Sequence, residues 1–200
     1  MNWQKRFFDL LFSISSIIIL SPVFILIISG FYLSKQKSPF FLQKRIGKNG
    51  KPFTIYKFRT MTLREDKHHH FEPGNRSRIT RAGSFLRKLK LDELPQLWNI
   101  LKGDMSVVGP RPEVEKWTST YPEKWKVVHQ VKPGLTDPAS IKYINEENIL
   151  AQSPEPEKLY YEKILPEKLY LNIKYVKNYS FYNDIRIILK TIKNIFSFKH

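Results

Sequence analysis

Leu10 to Leu33 is a run of 24 residues without a charged side chain. Nothing else in the chain restricts the fold as strongly, because a segment of that length and apolarity belongs in a bilayer rather than in an aqueous core. It is too long for the apolar region of a signal peptide, and no clear small-residue cleavage site follows it. Ser21-Pro22 falls in its middle. Proline removes a backbone donor and kinks a helix. Each half is then about a dozen residues, or roughly 18 Å, against a hydrocarbon core of about 30 Å. Both flanks are basic, with Lys5 and Arg6 before the run and Lys35, Lys37, Lys44 and Arg45 after it. Basic flanks mark the cytoplasmic side, so both ends belong there. A re-entrant helix hairpin over residues 1–36, broken at Ser21 and Pro22, meets both conditions. In it the Ser21 hydroxyl satisfies a carbonyl freed at the break. A kinked single span is the alternative.

The remaining residues, 37–200, are enough for one compact domain. The chain has no Cys, which rules out disulfides and thiolate metal sites and fits a reducing compartment. Its formal net charge of +16 points to nucleic acid, anionic lipid or phosphorylated substrates, without choosing among them.

The stretch Leu91 to Glu113 carries the chemistry. Asp92 and Glu93 open a short helix whose apolar face is Leu94, Leu97, Ile100 and Leu101. Pro95 is tolerated only in a first turn, and Gly103 is the expected C-terminal residue. Both carboxylates then sit at a helix N-terminus, where the dipole favours their ionised form, as a nucleophile or metal ligand requires. A plain N-cap role for Asp92 is the alternative. In Gly109-Pro110-Arg111-Pro112 two prolines fix the backbone around Arg111, which suits a guanidinium pre-set for a phosphate, or simply makes a surface turn.

Phe40–Ile46 and Pro52–Met61 read as two strands joined at Gly47-Lys48-Asn49-Gly50, a hairpin signal. Lys57 and Arg59 share a face with Phe53 and Ile55, either lining an anion site or facing solvent. Leu63–Ser77 reads as a loop, and His68-His69-His70 within it cannot share one face. Ser84 is the expected N-cap of a basic turn that carries Arg87, Lys88 and Lys90 towards Asp92. Trp117, Tyr121 and Trp125 recur every four residues, as core or as interfacial aromatics. Lys132–Pro138 reads as a rigid turn, Pro154 and Pro166 mark helix starts, and Tyr160, Tyr161, Ile164, Leu169 and Tyr170 are assigned to the core. From Asp184 to Phe198 apolar residues Ile185, Ile188, Leu189, Ile192, Ile195 and Phe196 form one helical face and Arg186, Lys190 and Lys193 another. That is the pattern of a membrane-surface helix or of a terminal helix docked on a core.

These motifs, in this order, resemble the small monotopic phosphoglycosyl transferases, the bacterial sugar transferases that start glycan assembly on a polyprenyl phosphate. The likeness runs through Lys5-Arg6-Phe7-Phe8-Asp9, Ser21-Pro22, Phe41–Gly47, Lys57–Met61, Leu91–Leu97, Lys102–Ser106 and Gly109–Pro112. The resemblance implies that Asp92 attacks the β-phosphate of a UDP-sugar, releasing UMP. It implies that Glu93 holds Mg²⁺, that Arg111 binds a phosphate, and that Lys57, Arg59 and Arg87 line the same pocket. The polyprenyl (undecaprenyl) phosphate acceptor then takes the sugar 1-phosphate from Asp92. It further implies an α+β fold comprising a re-entrant membrane helix, a β-hairpin and a mainly helical catalytic domain. That domain lies against membrane lipids on the cytoplasmic face of the bacterial inner membrane. Nucleic acid is not an expected partner, and a homodimer is an open option. The likeness lapses at Asp137–Tyr143, where many members read Gly-Trp-Ala-Gln-Val-Asn-Gly, so sugar identity is not carried over.

A membrane-tethered nucleic-acid binder and a non-catalytic scaffold are the competing classes. The first lacks a helix-turn-helix or zinc pattern. A glycosidase is disfavoured because adjacent acids cannot easily flank a glycosidic bond at about 5 Å or more.

Overall fold

The computed structural model describes residues 3–34, 38–62 and 78–197. The expected boundary at 36/37, the Leu63–Ser77 loop with His68–His70, and the side chains of Ile195 and Phe196 lie outside the described residues.

Helix α1 (Trp3–Leu33) continues through Pro22, so the two expected halves belong to one helix of 31 residues. Pro22 cannot donate to the Ile18 carbonyl, and Ser21 Oγ donates to it instead at 2.8 Å. Among the described residues α1 is the one helix long and apolar enough to cross a membrane by length and composition. Ile18, Ile19, Ile25 and Leu26 stand exposed on it. Its first turns are nevertheless tied to the rest of the chain. Buried Lys5 pairs with Asp184 and donates to the Val108 carbonyl at 2.8 Å. Arg6 donates to the Ile100 and Leu101 carbonyls at 2.7 and 2.8 Å. Asp9 Oδ1 accepts from Ser106 Oγ and the Val107 N–H, both at 3.0 Å. At the far end Phe24, Ile27, Ile28 and Phe31 pack with Phe58 and Leu86.

Strands β1 (Phe40–Ile46) and β2 (Pro52–Phe58) pair antiparallel, Phe40 opposite Phe58 and Ile46 opposite Pro52. The turn between them holds Asn49 at φ 57°. β2 ends at Phe58, earlier than the expected Met61, which forms an isolated bridge with Ile79. Helix α2 (Arg81–Lys88) is capped by Thr80 and not by Ser84: the Thr80 side chain accepts from the Gly83 N–H at 2.9 Å. A Cβ on Gly83 would lie 2.1 Å from the Thr60 carbonyl oxygen, so only glycine lets α2 lie directly on the exit of β2.

A 3-10 turn (Leu91–Glu93) leads to helix α3 (Gln96–Lys102), closed by Gly103 at φ 89°. Strand β3 (Ser106–Val108) then pairs in parallel with β4 (Gly134–Thr136). The sequence shows this second segment only as a turn, because three-residue strands carry no readable period. Helices α4 (Glu115–Thr118) and α5 (Pro122–Val128) fall between β3 and β4. After β4 come α6 (Pro138–Lys142), α7 (Glu146–Ala151), α8 (Pro156–Leu159), a π turn (Tyr160–Ile164), α9 (Leu165–Lys177) and α10 (Phe181–Ser197). The architecture is α+β, with two small sheets among helices.

One core gathers Ile55, Leu97, Ile100, Met105, Val107, Val108, Tyr175 and Ile187, and Phe8 and Phe12 of α1 pack on it. A second holds Trp117, Trp125, Tyr160, Ile164 and Leu169. Trp117 and Trp125 are therefore core residues, at 2% and 3% exposure, and the interfacial option is excluded for them. Tyr161 and Tyr170, assigned to the core from sequence, are exposed. Helix α10 docks through Asp184, Ile187, Ile188 and Thr191, whose hydroxyl meets that of Thr136 at 2.7 Å. Leu189 and Ile192 are left exposed beside Arg186, Lys190 and Lys193, so only one edge of the expected apolar face reaches the core.

Candidate active site

Glu93 is the centre of a charge cluster. Lys57 Nζ, from β2, donates to Glu93 Oε1 at 2.9 Å. Arg111 grips the same carboxylate with both ends of its fork, Nη2 to Oε1 and Nη1 to Oε2, the latter at 3.2 Å. Burial pushes the Glu93 carboxyl up, but Arg111 and Lys57 outweigh it and hold Glu93 well below the usual carboxylate range. Burial lowers the Lys57 ammonium, with Glu93 opposing, while the Glu93 charge raises Arg111 despite its burial. Arg111 was expected to offer its guanidinium to a phosphate. Both ends of its fork are held by Glu93, so it meets a phosphate only by leaving that carboxylate.

Asp92 differs from its neighbour. It precedes α3 on the 3-10 turn and caps no helix, so the dipole is weaker there than the sequence suggests. Its carboxyl is raised by burial first and by the Glu93 charge second, with Lys57, Arg87 and Lys90 pulling back. The sequence places Asp92 where a helix dipole favours the ionised form; burial and the Glu93 charge act against that form here. Asp92 Oδ1 is buried and has no hydrogen-bond partner. An unpartnered buried oxygen costs free energy, and functional sites are where such groups persist.

The Arg111 turn is fixed by more than its prolines. The Arg111 N–H donates to Asp137 Oδ2 at 2.8 Å, and Asp137 Oδ1 accepts from Ser140 N at the start of α6. Gly109 N donates to the Thr136 carbonyl and Gly134 N to the Pro110 carbonyl, both at 3.0 Å, which locks the turn to β4. Behind it Arg45 donates to the Pro112 carbonyl and to Glu113, which also accepts from Tyr160 and Lys168. Burial lowers the Arg45 guanidinium, and although burial raises Glu113, Lys168 and Arg45 keep it ionised.

Arg87 reaches the Asp92 side of the site. Its Nε donates to Thr60 Oγ1 at 2.8 Å and its Nη1 to Glu147 at 3.0 Å. Arg59 is placed differently: its Nη2 donates to the Phe40 carbonyl at 3.0 Å, and no described contact joins it to Glu93. The structure thus gathers Asp92, Glu93, Lys57, Arg87 and Arg111 and leaves Arg59 at the open end of the hairpin. Sequence reasoning missed Asn99, Asp137 and Thr60. Asn99 is fully buried, accepts from Tyr56 N at 3.0 Å and donates to the Thr54 carbonyl at 2.7 Å, fixing α3 against β2. Its signal was a polar residue beside the apolar face of α3. That of Asp137 was the cap-then-proline pair Asp137-Pro138.

Lys90 occupies the left-handed region at φ 57° between α2 and the Asp92 turn. A side chain there costs about 1 kcal/mol, so Lys90→Gly is expected to raise stability by about that amount. Chemical denaturation, read as a shift in midpoint, checks it.

Among the described residues no group of three or more His, Cys, Asp or Glu surrounds a common point. Asp92 keeps a free oxygen, whereas both Glu93 oxygens are held by Lys57 and Arg111, so a hard cation at this acid pair would have to displace those partners and draw its other ligands from water and substrate phosphates.

Fold and site together define a class: an enzyme built on an apolar N-terminal helix, with a carboxylate pair set among cations that suit phosphate chemistry. The chain belongs to the bacterial sugar transferase family, whose profile it matches over residues 1–198, and it is a transferase. It is 40% identical over 191 residues to the uncharacterized sugar transferase EpsL of Bacillus subtilis (strain 168), covering 96% of this chain and 86% of that protein. The UDP-galactose-lipid carrier transferase of Erwinia amylovora is 35% identical over 96% of this chain, which spans 40% of its length. The exopolysaccharide production protein ExoY of Sinorhizobium fredii is 35% identical, with 94% of this chain and 84% of that protein covered. The chain therefore spans most of some relatives and less than half of others.

Proposed function

We propose that the protein transfers a sugar 1-phosphate from a UDP-sugar to polyprenyl phosphate through a phosphosugar carried on Asp92. This starts assembly of a bacterial surface glycan. The observation that carries the reading is Asp92 itself, a buried carboxyl with one unpartnered oxygen, faced by Lys57, Arg87 and Lys90. A relative is named for the same donor and lipid acceptor classes, the UDP-glucose:undecaprenyl-phosphate glucose-1-phosphate transferase of Escherichia coli (strain K12).

In the first half-reaction an Asp92 oxygen forms a bond to the β-phosphorus of the donor. The bond from that phosphorus to the bridging oxygen breaks, and UMP leaves with the bridging oxygen. In the second half-reaction a phosphate oxygen of the acceptor attacks the same phosphorus and restores the Asp92 carboxylate. Charge on the phosphoryl oxygens is met by Lys57 and Arg87, and by Arg111 once it turns from Glu93 to the diphosphate. Glu93 and the free oxygen of Asp92 would hold Mg²⁺, which supplies further charge neutralisation at the diphosphate when bound.

In this reading α1 bends at Pro22 without ending there, and both of its ends stay on the cytoplasmic face with the catalytic domain. A perpendicular span would carry its distal half away from the domain. Here Phe8 and Phe12 near one end of α1 and Phe31 at the other both pack on it, and basic flanks lie on both sides.

The test is UMP release from a panel of UDP-sugars by the protein with polyprenyl phosphate and Mg²⁺. Release with one or more donors, abolished by chelation, is expected. No release from any donor in the panel overturns the reading.

A further inference from the structure

Helix α2 points in three directions. Gly83 and Leu86 face inward, Leu86 packing with Phe31 and Phe58. Arg87 turns to Thr60 and the Asp92 side. Phe85 and Leu89 face outward at 61% and 47% exposure, flanked by exposed Arg81 and Lys88. Strand β1 adds Phe40, Phe41 and Leu42, also exposed, with Lys44 beside them. These residues are not scattered. Phe40 stacks on Phe58 with ring centroids 5.6 Å apart, and Phe24 of α1 meets the same Phe58 ring at 5.6 Å. Helix α1, the Phe40 end of β1 and α2 therefore meet on the buried ring of Phe58, with their exposed apolar side chains set around it. Patches of that kind with a rim of cations mark an interaction site, and the apolar-plus-basic composition is that of an element seated at an anionic bilayer surface.

We propose that the outer faces of α2 and β1 form a second membrane contact, seated in the leaflet that holds α1 and placed beside Asp92. The occupant is the lipid leaflet, by continuity with α1 and by the charge of Arg81, Lys88 and Lys44. The consequence rests on the activity proposed above. The contact holds the site at headgroup depth, so that a lipid phosphate reaches Asp92 past Arg87 while its chain stays in the bilayer. The soluble donor does not depend on it.

The chain has no Cys, so a single introduced Cys can carry a spin label. Phe85→Cys is compared with Lys126→Cys on the exposed face of α5 in vesicles of phosphatidylethanolamine and phosphatidylglycerol. The label at 85 is expected to relax more with lipid-soluble oxygen than with an aqueous nickel complex, and the label at 126 the reverse. A label at 85 that is as aqueous as at 126 overturns the proposal. So does one shielded from both reagents, which would mean a second copy or another protein on this face. In a second arm, Phe85→Ser/Leu89→Ser is expected to gain the phosphosugar mass from a UDP-sugar as the wild type does. Its transfer to polyprenyl phosphate in vesicles should be about tenfold slower, because two anchoring side chains are lost. Unchanged transfer overturns the proposal. A wild type that never gains the mass counts against the Asp92 reaction instead, and the depth comparison still decides the membrane contact.

Discussion

Asp92→Asn is expected to lower UMP release by about a thousandfold or more while the fold is kept, because a carboxamide is not a nucleophile toward phosphorus. The fold is kept for a structural reason. Asp92 caps no helix, and its Oδ1 has no partner to lose. Its carboxyl is raised by burial and by the Glu93 charge, so the charged form is the costly one at this position. Asparagine has the same shape without that charge. The variant should therefore melt no lower than the wild type at neutral pH, and should gain no phosphosugar mass when incubated with donor. An undiminished rate removes Asp92 as the nucleophile.

The same displacement of Asp92 gives the pH dependence its sign. Without a cation, burial and the Glu93 charge disfavour the ionised form of Asp92, so the dependence is read on stability in Mg²⁺-free buffer. For stability, a folded-state value above the unfolded one contributes fully below the unfolded aspartate range. That contribution is lost as pH rises through the folded value. The stability advantage of Asp92→Asn over wild type should accordingly widen as pH rises across that window. Parallel melts of the two proteins from acid to neutral pH measure it.

What was legible from sequence follows from what local patterns encode. The apolar run, the hairpin at Asn49-Gly50, the Gly103 stop and the rigid Arg111 turn are all local signals, and each stands where expected. The Ser21 hydroxyl does satisfy the carbonyl that Pro22 frees. The failures were non-local or depended on burial. The parallel pairing of β3 with β4 joins segments whose short lengths show no period. Capping by Thr80 in place of Ser84 depends on how closely Gly83 sits on Thr60. The opposite perturbations of Asp92 and Glu93 arise because Lys57 and Arg111 arrive from distant elements and choose one acid of an adjacent pair. No spacing within Leu91–Gly103 says which acid that is. Arg59 stands apart from the Glu93 cluster for the same reason: strand alternation gives it the face of Lys57, but its Nη2 donates to the Phe40 carbonyl.

Glu93→Gln is the second large effect, and it acts on stability as well as on the reaction. Glu93 neutralises two cations, Lys57 and Arg111, inside the protein. Removing one partner of a buried pair leaves an uncompensated charge and costs roughly 3–5 kcal/mol. The lower end applies here, because the Arg111 side chain keeps 32% of its surface. Glutamine retains an acceptor oxygen for one of the donors, but not the charge or the second acceptor of the fork. A clear fall in melting temperature is therefore expected, together with a loss of UMP release of about a hundredfold or more from the missing electrostatic group. The released cations make a further outcome that a general loss of packing would not produce. Lys57 and Arg111 no longer have Glu93 as a competitor, so UMP added without Mg²⁺ should raise the melting temperature of Glu93→Gln by more than that of the wild type. Equal shifts in the two proteins would mean that Arg111 does not turn from Glu93 to phosphate, and the proposed exchange of partners would have to be abandoned.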